Sequence, residues 1–300
     1  MKDEKPFFTV VIPTHNRSNL LRRAIKSVLD QTFESLEIIV IDDHSIDDRS
    51  SVVKSFSDIR IRYMINSRTK GACGARNVGI FSAKGKWVAF LDDDDVWLSK
   101  KLEYQYELAQ NADDTVGLIC TDYAIYNGKQ KRPKIFKNRP SGWVMDKLLY
   151  GGIIGCLSSV CIRTKVLKTI EGFDERFPSS QDQDLYLRVA ELSQFSNVPK
   201  TLVHICQESQ NRIGQNPKRK LKGYIMLRDK HFALIDQSPR LRHRYESRIF
   251  TYAFLQGDKA LIARCLPWFL LGILVDFHNF LLTIRATILL YIRDKKQTRI

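Results

Sequence analysis

The stretch that most constrains this chain is Gly85-Lys86-Trp87-Val88-Ala89-Phe90-Leu91-Asp92-Asp93-Asp94-Asp95. Trp87 to Leu91 is an unbroken apolar run of strand length, the pattern of a strand buried on both faces of a parallel sheet. It delivers four consecutive carboxylates at its carboxyl end. Two unit charges about 4 Å apart repel by roughly 4 kcal/mol at an effective dielectric near 20. A row of them at the mouth of a hydrophobic sheet therefore calls for a cation. Carboxylate oxygens are hard ligands, so the expected ion is Mg²⁺ or Mn²⁺ rather than Zn²⁺, carrying a substrate phosphate. A solvated acidic turn is the other reading of four adjacent acids. The apolar strand in front of them favours the metal site.

The segments before this stretch repeat its logic. Phe7 to Ile12 is a short apolar strand stopped by Pro13-Thr14-His15-Asn16, and Ser18 is the expected N-cap of a helix with Leu21, Ala24, Ile25, Val28 and Leu29 on one face. Leu36 to Ile41 is a second strand ending in Asp42-Asp43, Asp47 is an expected helix cap, and Ile59 to Ile65 is a third strand. Gly71 to Ala83 reads as a loop and helix carrying Arg76 and Asn77. Strands alternating with helices give βαβ units and a parallel sheet. Open sheets of this kind bind ligands beyond the carboxyl ends of their strands. Thr14 to Asn16, Asp42-Asp43 and Asp92 to Asp95 all fall at that edge.

Further along, Trp97 to Asn111 reads as a helix and Val116 to Tyr126 as a strand. Asn127-Gly128 signals a hairpin into Gln130 to Phe136, and Ile153 to Ile162 reads as a further strand. Ser180 is the expected cap of a helix containing Asp182, Asp184 and Arg188, and Val198 to Cys206 closes the first domain. The sheet is expected to be mixed and mainly parallel, with an antiparallel extension. No Gly-Xaa-Gly-Xaa-Xaa-Gly and no Gly-Lys-Ser/Thr loop occurs, which argues against a dinucleotide oxidoreductase and a P-loop enzyme.

Four segments carry a resemblance to the family 2 glycosyltransferases, inverting enzymes of the GT-A fold. They are Val10-Val11-Ile12-Pro13-Thr14-His15-Asn16-Arg17, Ile39-Val40-Ile41-Asp42-Asp43-His44-Ser45, Phe90-Leu91-Asp92-Asp93-Asp94-Asp95 and Gln181-Asp182-Gln183-Asp184-Leu185-Tyr186-Leu187-Arg188. They come in the family's order and cover roughly residues 6 to 205. The resemblance implies that Pro13, Thr14, Asn16 and Asp43 help hold a nucleotide, usually through uracil. It implies that Asp92 and Asp94 form the Asp-Xaa-Asp motif, with Asp94 the direct metal ligand and Asp92 or Asp93 nearer the ribose. Asp182 falls where the family has its catalytic base, and Gln181 stands where Glu is commoner. Arg76 would face the diphosphate. Asp184, two residues from Asp182, cannot share its helical face and reads as structural, paired with Arg188. If Asp182 is not the base, Asp174 and Glu175 are the next candidates. His204 reads as a core or edge residue. The implied reaction moves a sugar, most readily a UDP-hexose, to a polyprenyl-diphosphate-linked saccharide in surface-polysaccharide assembly. Transfer to a protein or a soluble glycan is the alternative.

Charge separates residues 1–210, the expected nucleotide-sugar domain, from a tail at 211–300. The tail holds 18 Lys and Arg against 6 Asp and Glu, so it carries +12 of the chain's +15. A nucleic-acid binder would interleave positive charge with aromatics through its body, so no nucleic-acid partner is expected. Cys265 to Ile292 is apolar but broken by Asp276, His278, Asn279 and Arg285. Its longest uncharged run, Cys265 to Val275, is far short of the roughly 20 residues that span a bilayer. An interfacial helix or hairpin against an anionic leaflet fits this pattern, and so does a packed helical subdomain or dimer interface. The six cysteines include no Cys-Xaa-Xaa-Cys pair, and Met1 to Lys5 runs straight into a strand. The expectation is a cytoplasmic protein with reduced thiols, peripheral on the inner face of the cell membrane.

Overall fold

The apolar runs of the first half become the centre of one mixed sheet. The computed structural model describes residues 5–47, 49–126, 133–137, 139–151, 153–206 and 216–297. Strands β1 (Phe8–Thr14), β2 (Leu36–Asp42), β3 (Ile61–Ile65) and β4 (Trp87–Phe90) alternate with helices α1 (Ser18–Leu29), α2 (Arg49–Lys54) and α3 (Ala72–Ser82). All four strands run parallel, in the order β3-β2-β1-β4. Every residue of β1, β2 and β4 is buried. Burial on both faces is why these strands read as continuous rather than alternating apolar runs.

Pro13 sits inside β1, a central strand, where its missing N–H would normally break a ladder. Its side of the strand faces β4, and pairing with β4 ends at Val11 opposite Phe90. On the other side, β1 stays paired with β2 as far as Thr14 opposite Asp42. The proline thus marks where the sheet opens and the polar edge begins. Gly79 lets α3 lie close on this sheet, because a Cβ there would come within 2.5 Å of Val11 Cγ1.

The second half adds β5 (Val96–Trp97), α4 (Lys101–Asn111), β6 (Val116–Tyr126), β7 (Lys134–Phe136), α5 (Met145–Tyr150), β8 (Val160–Arg163), α6 (Thr164–Thr169), α7 (Gln181–Leu192) and β9 (Gln194–Cys206). The order continues β4-β8-β6-β9-β5, with β7 also on β6. β8 enters antiparallel to both β4 and β6, which makes the sheet mixed as expected. The Asn127-Gly128 turn lies outside the described residues, while β6 and β7 pair antiparallel on either side of it.

Some boundaries differ from the sequence reading. β3 begins at Ile61, and Ile59 is 98% exposed. The strand expected at 153–162 begins only at Val160 and runs to Arg163; Gly155 has φ +84 and Leu157–Ser159 form a 3₁₀ turn. Ser18 is the first residue of α1 rather than its cap. Val96 and Trp97 pair with β9 instead of starting a helix, because Trp97 is buried and its Nε1 donates to the Ser158 carbonyl at 2.8 Å.

The chain divides into two compact units. One comprises Met1–Leu148, Gly152–Glu175 and Asp182–Ser209; the other comprises Leu149–Gly151, Arg176–Gln181 and Gln210–Ile300. The second unit contains α8 (Pro217–Lys230), α9 (Phe232–Ile235), α10 (Pro239–Gln256), α11 (Lys259–Val275) and α12 (Phe277–Gln297). Leu221, Ile249, Ala253 and Cys265 form its apolar core. Gly272 of α11 lies directly on the His243 ring of α10, where a Cβ would come within 2.0 Å. Glu246, buried on α10, accepts from Arg228 at 3.2 Å and Arg242 at 3.0 Å. Asp276 pins the α11–α12 turn to α10 through Arg244 at 2.7 Å and Arg240 at 3.3 Å. These arginines hold the Asp276 carboxyl below its ordinary range against the upward push of burial.

Candidate active site

The four acids after β4 occupy four different environments. Asp92 Oδ1 accepts from Arg76 Nη2 at 2.6 Å. Asp93 accepts from the Thr14 hydroxyl at 2.8 Å and from Arg17 Nη1 at 3.0 Å. The same Arg17 nitrogen reaches Asp94 Oδ2 at 3.3 Å, and Arg23 donates to the Asp94 carbonyl at 3.0 Å. Asp95 turns away from this group. Its Oδ2 accepts from the Ser158 hydroxyl at 2.6 Å and its Oδ1 from the Cys206 N–H at 3.3 Å. Ser158 also accepts from the Asp92 N–H at 3.1 Å, so the buried 3₁₀ turn fixes the backbone of the row.

Arg17 and Arg76 offset part of the charge of the row. Burial pushes the Asp93 carboxyl up to about 6, with Arg17 and Thr14 pulling down and Asp94 pushing further up. Burial and the charges of Asp92 and Asp94 also raise Asp95 well above the ordinary range.

Coordination chemistry gives a separate test of a metal. Among the described residues no three His, Cys, Asp or Glu side chains converge on one point. A divalent ion would rest on Asp94, with Asp92 two residues away, and take its remaining ligands from phosphate and water. One or two carboxylates completed by substrate phosphates is the usual arrangement for Mg²⁺, so the residues fit such an ion.

Beside the acids, the ends of β1 and β2 build a polar pocket. Asp43 Oδ1 accepts from Asn66 Nδ2 at 2.7 Å and from the Gly71 N–H at 3.0 Å. Its carbonyl lies 2.8 Å from His15 Nδ1. Both side-chain bonds fall on Oδ1 of Asp43. Asn16 adopts φ +52 and its Oδ1 accepts from the Ile46 N–H at 3.0 Å, tying one loop to the next. Asp42 organises the second loop by accepting from the Ser45 N–H at 3.0 Å and the Tyr63 hydroxyl at 2.6 Å. Burial works against this carboxylate, and those hydrogen bonds bring it below its ordinary range.

Asp182 lies half-buried at the head of α7, where the charges of both Arg76 and Asp92 reach it. Burial pushes its carboxyl up, against the Gln183 N–H at 2.9 Å and the Arg76 guanidinium. Asp184 points the other way and is fully buried, held by Arg188 Nε at 2.9 Å and Nη2 at 2.8 Å. Arg188 also donates to the Ile170 and Gly172 carbonyls, each at 2.7 Å. Glu175 is unsuited to act as a base. It accepts from Asn77 at 2.7 Å, the Thr69 N–H at 3.2 Å and Arg68. Those bonds bring it below the ordinary range although burial raises it.

Sequence reasoning missed several of these residues. Arg17 stood inside a quoted motif without a role. Ser158 lay in a stretch read as strand, and nothing in its neighbours marks it. Tyr186, four residues after Asp182 and so on the same helical face, is buried, and its hydroxyl has no hydrogen-bond partner among the described residues. Arg76 is buried as well, with Nε and Nη1 unpartnered, and lies 5.6 Å over the Phe173 ring. Unsatisfied polar atoms of this kind are uncommon inside proteins and concentrate where function holds them.

Residues 9–170 match the sequence model of the family described as Glycosyl transferase family 2. The UDP-Glc:alpha-D-GlcNAc-diphosphoundecaprenol beta-1,3-glucosyltransferase WfgD of Escherichia coli is 32% identical over 217 residues, 71% of this chain and 82% of that protein. Some other curated glycosyltransferases it matches are longer, and the chain spans 27% and 31% of two of them. Among solved structures, S. aureus TarS 1–349 in complex with UDP-GlcNAc aligns with a TM-score of 0.71 at 18% identity, covering 97% of this chain and 91% of that one. The mannosyltransferase PcManGT of Pyrobaculum calidifontis, in complex with GDP-Man and Mn²⁺, aligns with a TM-score of 0.59 at 16% identity, covering 97% and 88%. At such identities the likeness to these two structures speaks for the fold alone.

Proposed function

This chain belongs to glycosyl transferase family 2 and has the GT-A fold, and from that premise we propose that it moves a hexose from a UDP-sugar to a hydroxyl of a lipid-linked saccharide in surface-polysaccharide assembly. The observation that carries the reading is the meeting of Asp182 with Arg76 and the acid row, across the long stretch of chain between them. In this reading Asp182 takes the proton of the acceptor hydroxyl as that oxygen attacks the anomeric carbon. The nucleoside diphosphate leaves from the opposite face, so one displacement inverts the configuration. No nucleophilic thiol is needed. Burial pushes the Cys73 thiol up to about 11 and the Cys120 and Cys161 thiols up to about 12, so none of them is a thiolate near neutrality.

Pro13, Thr14, Asn16 and Asp43 form the base-binding side, with Asp43 Oδ2 set to accept from a uracil N–H. Asp92 and Asp93 lie toward the ribose, Arg76 toward the diphosphate, and Asp94 with Asp92 would hold Mg²⁺ or Mn²⁺. Such an ion neutralises charge on a departing diphosphate. The donor class is supported by the UDP-Glc in the name of WfgD and the UDP-GlcNAc bound to TarS, and the ion by the Mn²⁺ bound to PcManGT. The acceptor class is supported by the diphosphoundecaprenol substrate that WfgD's name carries. Such an acceptor places the work at the inner face of the cell membrane. No helix among the described residues is long and apolar enough to cross a membrane, so the attachment proposed is peripheral. The test is a panel of nucleotide sugars offered to purified protein with a polyprenyl-diphosphate-linked GlcNAc acceptor. We expect UDP release coupled to a β-linked product. Turnover of none of the panel overturns the reading, and equal transfer to soluble glycans redirects the acceptor.

A further inference from the structure

The two helices that end the second unit carry apolar side chains outward. Leu270, Ile273 and Leu274 line one side of α11, and Leu281, Leu282 and Leu289 line α12; Leu274 is 84% exposed and the others about half. Phe277, also exposed, opens α12 just after the turn that Asp276 pins. The two helices are neighbours, joined through the Phe269 and Phe280 rings at 5.0 Å, and both carry their leucine stripes into solvent. Single exposed apolar residues are ordinary, but monomers rarely leave patches of more than a few hundred Å² uncovered.

The charge around the patch narrows what covers it. Four of the unit's acids are tied up internally: Asp229 with Arg228, Asp236 with Arg242, Glu246 with Arg228 and Arg242, and Asp276 with Arg240 and Arg244. Asp258 caps α11 through the Leu261 N–H at 3.0 Å. Lys259, Arg264 and Arg285 are exposed. Arg285 lies in the α12 stripe, four residues from both Leu281 and Leu289. A two-fold contact between copies centred on this stripe would bring Arg285 against its own image. An anionic headgroup layer matches it instead. Pro267 inside α11 and Arg285 inside α12 suit helices lying flat rather than crossing.

We infer that the α11–α12 face docks on an anionic lipid bilayer, with its leucine stripes in the acyl boundary and Lys259, Arg264 and Arg285 against headgroup phosphates. The inference rests on the transferase reading only for what the docking serves, which is to meet a lipid-linked acceptor. It is tested by flotation of the full chain with vesicles of neutral phosphatidylcholine alone or with a third phosphatidylglycerol. We expect binding to the anionic vesicles that weakens as salt rises. Leu274→Glu with Leu281→Glu should lower it at least tenfold at an unchanged melting temperature. Arg285→Glu should lower binding to anionic vesicles and leave the weak binding to neutral ones unchanged. Both variants should keep wild-type transfer to a short-chain, water-soluble acceptor and lose transfer to an acceptor embedded in vesicles. Absence of flotation with anionic vesicles overturns the inference. So does a concentration-dependent dimer that Leu274→Glu dissociates, which would assign the face to a second copy. Flotation without any sugar transfer supports the docking surface and overturns the transferase reading alone.

Discussion

In the sheet unit Asp93, Asp94 and Asp95 are almost fully buried, while in the helical unit Leu274 stands nearly free in solvent. Each placement reverses the usual sorting of residues, and the way each is compensated differs. The buried ions of the helical unit form closed sets: Glu246 and Asp276 are each held by two arginines. Around the acid row the sets are left open, with unpartnered atoms on Arg76 and Tyr186. A closed buried network is a fastening, since removing one partner of a buried pair costs about 3–5 kcal/mol. An open one keeps hydrogen-bonding capacity for something that arrives later. On the proposed function, the closed sets hold the fold and the open set awaits a substrate.

The largest effect that could break this distinction is at Asp182. Asp182→Asn should bind UDP as the wild type does and transfer sugar about 10²–10⁴-fold more slowly; wild-type turnover would move the base elsewhere. Next comes Asp94→Ala, expected to lose about a hundredfold in turnover together with UDP affinity. Excess chelator should do the same to the wild type, reversed by Mn²⁺, and full activity in chelator would remove the ion from the site. The third tests the open set through pH. The base must be ionised to work and burial raises its carboxyl, so activity should fall with decreasing pH at a value above the ordinary carboxylate range. Arg76 pulls the Asp182 carboxyl down against burial, so Arg76→Gln should move that acid limb up by about one pH unit. A profile that overlays the wild type would make Arg76 a fastening only. The Asp184–Arg188 pair, a closed set within the sheet unit, should respond the other way: Asp184→Asn should lower stability by about 3 kcal/mol in denaturant melts and leave turnover per folded molecule within twofold. The smallest effect is expected at exposed Ile59, where Asn should change stability by less than about 0.5 kcal/mol.

The edge of the sheet was legible in the sequence because buried parallel strands are apolar throughout and their polar ends are abrupt. Thr14, Asp43 and the acid row come together there as the pattern implied. The Asp184–Arg188 pair was legible from helical spacing, and the mixed sheet from the hairpin signal. What could not be read was which acid meets which cation. Arg17, Arg23 and Arg76 come from two separate helical segments, and one-dimensional spacing does not report that they converge. Ser158 was hidden because its role depends on a 3₁₀ turn that propensity does not favour over a strand. The divided second unit was hidden too, since Leu149–Gly151 and Arg176–Gln181 join residues far along the chain.

The antiparallel seat of β8 on β4 has a consequence for how this protein is made. β1 to β4 are consecutive along the chain and can assemble early. The strand that covers the other edge of β4 pairs Cys161 with Ala89, so it leaves the ribosome much later. At the usual pace of synthesis that gap amounts to roughly four to fourteen seconds. Over that interval the strand leading to the four carboxylates presents an open hydrogen-bonding edge to its surroundings. Like charges at the tip of that edge oppose its pairing with the same edge of a neighbouring nascent chain.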